Sequence, residues 1–368
     1  MMNKLIVANL VHRPIRSLIS IIAIALEVTL ILLIVGLSLG MLNDSRQRQA
    51  GIGADVIVMP PGSSFIVGLT GAPMPIKVGD VLAKLPHVAT VAPVVTSVST
   101  AGAIEVIAGI DLATYNKLSG PFQFVAGGPF QSPNDVIVDT LFAKSKHVKV
   151  GDNTEILNHT FRICGIVEPG KGARKFLQIG VLQDLIGAQN KASIFYLKLD
   201  NPANADTVVS EIKHVPGMER YVATSMAYYL SMMTPTNYPG LSIFINVVIG
   251  ISVVIGFIVI FQAMYTAVHE RTREIGILKS LGASKTYIIS AILRETVLLA
   301  IGGIIVGVIF SLAARIGILD RFPTLRVVIS GGWILRSAII AVIGAILGGL
   351  YPAYKAAQKD PIDALAYE

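Results

Sequence analysis

The chain has 368 residues, 53% of them hydrophobic and 14% charged, with a mean hydropathy of +0.68. Ordinary soluble domains carry roughly 25% charge, so the composition argues against a wholly soluble protein. The formal charge of +7 is uneven: residues 41–240 hold 16 Lys and Arg against 15 Asp and Glu, leaving +6 for the rest. The basic pI of 9.4 therefore reflects membrane topology, and no basic run with interleaved aromatics suggests a nucleic-acid surface. One cysteine, Cys164, rules out a disulfide framework and a Cys-based zinc site.

Four stretches reach the roughly 20 apolar residues a spanning helix needs: Ser17 to Gly40, Ile243 to Met264, Thr296 to Ala314 and Gly332 to Tyr354. The predicted fold class is an α-helical membrane protein of four transmembrane helices with a large mixed α/β extracytoplasmic domain between helices 1 and 2. The expected divisions are an amphipathic N-terminus (1–16), helix 1 (17–40), the external domain (41–240), helix 2 (241–266), a cytoplasmic segment (267–294), helix 3 (295–315), a short external loop (316–331), helix 4 (332–354) and a tail (355–368). The first span is too long for a signal peptide and lacks a convincing cleavage site, so it is read as retained. Lys4, Arg13 and Arg16 precede it, Arg271, Arg273, Lys279 and Lys285 lie between the second and third spans, and Lys355 and Lys359 follow the fourth. Positive charges stay inside, which places both termini in the cytoplasm.

Within the first span Glu27 is the acidic residue well inside apolar surroundings. An intramembrane carboxyl is costly and marks a candidate site; hydrogen bonding inside a bundle and contact with substrate or protons both remain open. The other polar groups of the spans, chiefly Thr29, Asn246, Ser252, Gln262 and Ser311, are too sparse to line a wide aqueous path. Gly36-Leu-Ser-Leu-Gly40 matches a GxSxG pattern, but the nucleophile elbow needs a strand-to-helix turn. Its glycines, like Gly303 with Gly307 and Gly344 with Gly348, are read as close helix contacts.

In the external domain, β-rich runs are predicted at 54–59, 88–98, 104–110, 135–139, 160–167 and 193–199, with helices at Val78 to Leu85 and Asn204 to His214. Two α–β units (41–114 and 190–240) are expected, with a smaller β subdomain inserted over about 115–189, where Gly127-Gly128-Pro129 and Gly170-Lys171-Gly172 mark turns. Met59 to Pro75 reads as an exposed Gly- and Pro-rich loop. The six histidines (12, 87, 147, 159, 214, 269) show no metal spacing. Cys164 falls in a strand and is read as a structural thiol, and Leu118-Ser-Gly120 continues with Pro-Phe, unlike an ATPase signature. With no GxxxxGK[ST] loop, no catalytic, metal or cofactor residues are assigned.

After the second span, His269 to Lys285 reads as a short amphipathic helix. Ile275, Leu278 and Leu281 recur at i, i+3 and i+6, with Arg271, Arg273, Glu274 and Lys279 supplying charge elsewhere. Gly282 is expected to end it and Ser284 to cap the next helix, which enters the membrane through Arg294 and Glu295.

The run Glu270-Arg-Thr-Arg-Glu-Ile-Gly-Ile-Leu-Lys-Ser-Leu-Gly-Ala283 resembles the coupling segment of the FtsX-like, or MacB-like, permeases of ABC transporters. The tail resembles that family's ending at Pro352, Ala356, Asp360, Pro361, Ala364 and Leu365, and Asn9 to Ser17 is similar to its N-terminal amphipathic segment. The resemblance implies a dimer, homo- or heteromeric, of four-span permeases of the inner membrane. Two copies of a separate ATPase subunit, which bring ATP and Mg, would clamp it; only 16 residues precede the first span here, so the ATPase is expected on another polypeptide. Glu270, Arg271, Arg273, Glu274, Ile275, Gly276, Leu278, Leu281, Gly282 and Ala283 would couple to it. In that picture Ile275, Leu278 and Leu281 fill the ATPase groove, Arg271, Arg273 and Glu274 form its rim, and Gly276 and Gly282 allow close approach. Further implied partners are membrane lipid and a periplasmic adaptor or outer-membrane protein. The implied function is mechanical transmission that exports or extracts an amphipathic substrate; the alternatives are activation of an external cell-wall hydrolase and an ATP-independent sensor or scaffold.

Overall fold

The computed structural model describes residues 14–63, 72–99, 105–238 and 240–360. Lys4, Asn9 to Arg13, residues 64–71 of the Gly- and Pro-rich loop, Ile104, Pro361, Ala364 and Leu365 lie outside the described residues. The chain divides into two compact units, one formed by the described parts of 1–40, 241–320 and 327–368, the other by those of 41–240 and 321–326.

The elements in chain order are α1 (Pro14–Ala50), β1 (Val56–Met59), β2 (Met74–Pro75), α2 (Val78–Leu82), β3 (Val88–Ser99), β4 (Glu105–Ile110), α3 (Leu112–Ser119), β5 (Phe124–Gly127), β6 (Asp135–Asp139), α4 (Thr140–Lys146), β7 (Asn153–Ile156), β8 (His159–Val167), β9 (Lys175–Gln178), α5 (Ile179–Leu185), β10 (Lys191–Ala192) and β11 (Ile194–Leu199). After them come α6 (Ala205–His214), β12 (Val222–Ser225), α7 (Met226–Met232), α8 (Leu241–Glu270), α9 (Thr272–Ser280), α10 (Lys285–Arg321) and α11 (Gly331–Gln358). Helices α1, α8, α10 and α11 are long and apolar enough to cross a membrane.

The unit containing 41–240 is built on one mixed sheet in the order β12-β1-β11-β3-β4-β9-β6-β8-β5, with β7 paired to β8. β1 is buried along its whole length, because both of its faces are covered. Val56 and Val58 join a core with Phe195 and Leu197, while Ile57 and Met59 join another with Tyr196 and Phe176, as the two-residue period of a strand requires. Helix starts are set by local capping: Asp111 accepts from the Thr114 N–H, Asp139 from the Phe142 N–H and Ser225 from the Tyr228 N–H.

The stretch 115–189, expected as a separate β subdomain, instead continues the same sheet. Its strand β9 pairs in parallel with β4 (Ile107 opposite Lys175), and β6 joins β9 on the far side. It also carries α4, α5 and most of α3. Parallel pairing of β4 with β9 is non-local, so no turn in the sequence announces it.

In the other unit, α8 and α11 pair extensively, and α1 lies against α10. A Cβ at Gly303 would stand 2.5 Å from Ile24 Cβ, and one at Gly307 would stand 2.8 Å from the Ala25 carbonyl oxygen. The absent side chains let the backbones meet, and the Thr29 hydroxyl donates to the Gly307 carbonyl at 3.2 Å. Ile24, Val28, Leu32, Ile260, Met264 and Leu299 fill the core between these helices.

Candidate functional site

The segment after α8 forms the short helix that the charge and apolar pattern predicts, Thr272–Ser280. Gly282, at φ +93°, ends it; the Gly282 and Ala283 N–H groups donate to the carbonyls of Lys279 and Leu278, closing the C-terminus. Ser284 Oγ then accepts from the Tyr287 N–H at 3.2 Å and starts α10.

Three polar pins hold α9 in place. Arg271, at the junction of α8 and α9, donates to Glu295 of α10 at 2.9 Å, with both side chains nearly buried. Lys279 Nζ donates to the carbonyls of Ala357 (3.0 Å) and Lys359 at the end of α11. Lys359 Nζ in turn donates to Thr272 Oγ1 at 3.3 Å, and the Thr272 hydroxyl donates to the Val268 and His269 carbonyls of α8. An apolar patch of Val268, Ile275, Ile288, Ala356 and Ala357 seals the contact. The short helix is thus fastened to α8, α10 and α11 together.

This geometry changes the assignment of two residues. Ile275 is buried against α10 and α11, so it cannot fill a partner's groove, and Arg271 is spent on Glu295 instead of forming a rim. The physical reason is angular: positions i, i+3 and i+6 drift by about 120° on a helix of 100° per residue, so Ile275 and Leu281 do not share a face. The outward face carries Arg273, Glu274, Ile277, Leu278 and Leu281, with Ile277 at 44% and Leu281 at 80% exposure. Gly276 is buried and Gly282 exposed; Glu270, on the last turn of α8, is exposed and Ala283 partly buried. Ile277 and the pins of Thr272, Glu295 and Lys359 were not singled out from the sequence. A carboxylate at the head of an apolar run, facing an arginine in the preceding loop, was the available signal for Arg271 with Glu295. In the tail, Pro352 and Ala356 of α11 are both buried, Ala356 within the apolar patch that holds Ile275, and Asp360 is exposed.

Glu27 lies elsewhere in that unit. It is 3% exposed, and neither of its carboxylate oxygens has a hydrogen-bond partner among the described residues. Its carboxyl fills the space over Gly256 of α8, where a Cβ would stand 2.0 Å from Oε2.

In the unit of 41–240, burial, followed by the nearby Asp135 carboxylate, pushes the Cys164 thiol up to about 11, far from the range of a reactive thiolate. No group of three or more His, Cys, Asp or Glu among the described residues could hold a metal ion.

The chain matches two family models: the FtsX-like permease C-terminal model over residues 246–361 and the MacB-like periplasmic core domain over residues 17–215. It is similar to the uncharacterized ABC transporter permease YknZ of Bacillus subtilis, 39% identical over 34% of this chain and 31% of that one. It is also similar to the macrolide export ATP-binding/permease protein MacB of Shewanella sp. W3-18-1, 25% identical over 97% of this chain and 59% of that one. Among solved structures, the periplasmic region of MacB from Actinobacillus actinomycetemcomitans aligns with 50% of this chain and 94% of its own, at 15% identity and a TM-score of 0.39. The chain thus covers less than two thirds of the length of both curated relatives.

Proposed function

Because the chain belongs to the FtsX-like permease family of ABC transporters with a MacB-like periplasmic core domain, we propose that it is the membrane subunit of an ATP-driven export system. In this reading α9 docks on a separate cytoplasmic ABC ATPase, two copies of which serve a dimer of this chain or of the chain with a homologue. Closure of the ATPase on ATP and Mg would push α9, and the spans would relay the motion to the extracytoplasmic domain. There the work would be export or extraction of an amphipathic substrate: a lipid, lipoprotein, peptide or hydrophobic compound. The cytoplasmic membrane is its location, with both termini in the cytoplasm.

The observation that carries this reading is the outward face of α9 set against its inward pins. Ile277, Leu278 and Leu281 present apolar surface beside Arg273 and Glu274, the mixture of apolar centre and charged rim that protein interfaces use. Behind that face, Arg271–Glu295 and Lys279 with the end of α11 leave the helix little freedom to move without its neighbours.

Purifying the chain in mild detergent from its native host, beside a Glu274→Arg/Leu278→Asp variant, tests the docking. An ABC ATPase should come with the wild type and be lost from the variant. If none binds, or the variant keeps it in full, the coupling assignment falls. Substrate-stimulated ATPase activity of the reconstituted complex then separates transport from activation of a cell-wall hydrolase.

A further inference from the structure

The unit of 41–240 and 321–326 contains a charge cluster that the coupling segment does not use. Asp44 accepts from Arg48 and, at 2.8 Å, from Arg174, and lies 3.5 Å from Arg326; Arg174 also donates to Asp139 at 3.0 Å. Three guanidinium groups therefore share two carboxylates. Arg48 and Arg326 stand on the wall of a cavity of about 400 Å³, and Lys171 joins them there. The Lys171 ammonium donates to the carbonyls of Ser119 and Gly120, each at 3.2 Å, and to the Ser119 hydroxyl. All three acceptors are neutral, so no carboxylate contacts this cation among the described residues. The wall has one further acidic group besides Asp44, the exposed Glu168.

Burial lowers the proton affinity of both Lys171 and Arg48. At Arg48 the carboxylates of Asp44 and Asp139 oppose that effect, while Arg174 and Arg326 add to it. Around this space four cations, Arg48, Arg174, Arg326 and Lys171, stand with three carboxylates, Asp44, Asp139 and Glu168, so positive charge exceeds negative beside a space large enough for a small ligand.

We propose that this cavity binds the phosphate group of an anionic amphiphile. Guanidinium forks fit phosphate oxygens in pairs, and Arg48, Arg326 and Lys171 present their charge to one space. Arg48 follows Gly40 by eight residues and Arg326 precedes Gly332 by six. Two of the three cations therefore flank apolar runs, which favours a phosphate that arrives with acyl chains over a free anion. The site goes beyond the coupling reading and can be measured with no ATPase present, so each stands or falls by itself.

Native mass spectrometry of the full chain in detergent, with phosphatidylglycerol or phosphatidylcholine of identical acyl chains, tests the site. The wild type should retain phosphatidylglycerol preferentially. Arg326→Gln should weaken that retention about tenfold, as loss of a charge-assisted contact does. Glu168→Gln, at an exposed rim position, should strengthen it about twofold to fivefold and keeps the test decisive should the arginine variant fail to fold. Displacement by millimolar inorganic phosphate would identify a site for the bare anion, and resistance to it a site for the head group with its chains; either supports a phosphate site. Equal retention of the two lipids, or a preference unchanged in both variants, would overturn the proposal.

Discussion

Glu27 and Gly256 illustrate how one missing methyl group decides a contact. The carboxyl occupies the volume a side chain at 256 would need, so Gly256→Ala should lower the thermal midpoint of the detergent-solubilised chain, equivalent to about 1–3 kcal/mol of overpacking. Removing the obstacle should restore it: Glu27→Ala combined with Gly256→Ala is expected to be more stable than Gly256→Ala alone. Strict additivity of the two changes would show that the residues do not touch in the folded bundle. A second residue sets the acid response of the sheet unit. Burial alone would raise the Asp135 carboxyl, but the Gln131 and Ser132 N–H groups and Arg162 together hold it below the ordinary range. Its contribution is therefore complete above the unfolded value of about 4 and disappears as pH falls through the lower folded value. Asp139 works in the opposite sense, because burial raises it despite Arg174 and the Phe142 N–H. Asp135→Asn should cost about 1–3 kcal/mol at pH 7 and flatten the loss of stability below pH 4. Melting curves that keep the same acid limb in the variant would exclude this role.

At the scale of the element, the short helix α9 separates folding from docking within seven residues. Ile275→Asp buries a charge in the patch with Ile288 and Ala356 and should lower stability sharply, by several kcal/mol. Ile277→Asp lies on the outward face and should leave melting within about 0.5 kcal/mol of the wild type while abolishing ATPase capture. Equal loss of stability in both variants would place the two residues on one side of the helix. The existence of this helix, its glycine stop and its serine-capped successor were legible in the sequence, because caps and breakers act within four residues. Its orientation was not: apolar residues occur on both sides, and only the partners at Glu295, Ala357 and Lys359, between 24 and 80 residues away, decide which side faces inward.

For the molecule as a whole, the inferred orientation leads to a labelling experiment. In a Cys164→Ser background, Ser210→Cys should react with a membrane-impermeant maleimide on intact cells and Ser280→Cys only after lysis; the reverse pattern would invert the topology. Four spanning helices were readable because each is a long uninterrupted apolar run, and the strands from 88 and 135 were readable because they are rich in β-branched residues. The short strands β5, β7 and β9 were not anticipated, since four residues carry little period; β7 is set by a tight turn at Leu157 and Asn158 onto β8, whereas β5 and β9 are fixed by neighbours distant in the chain. That distance has a consequence for how the protein is made. Strand β1 ends at Met59, yet it lies between β11 and β12, pairing Val56 with Leu197 on one side and with Ser225 on the other. At a synthesis rate of about 5–20 residues per second, the ribosome needs roughly ten to thirty seconds after making β1 to supply the second of these neighbours. Until then a fully apolar strand keeps at least one edge open, and rapid translocation or chaperone cover during synthesis would keep Val56–Met59 from pairing with another chain.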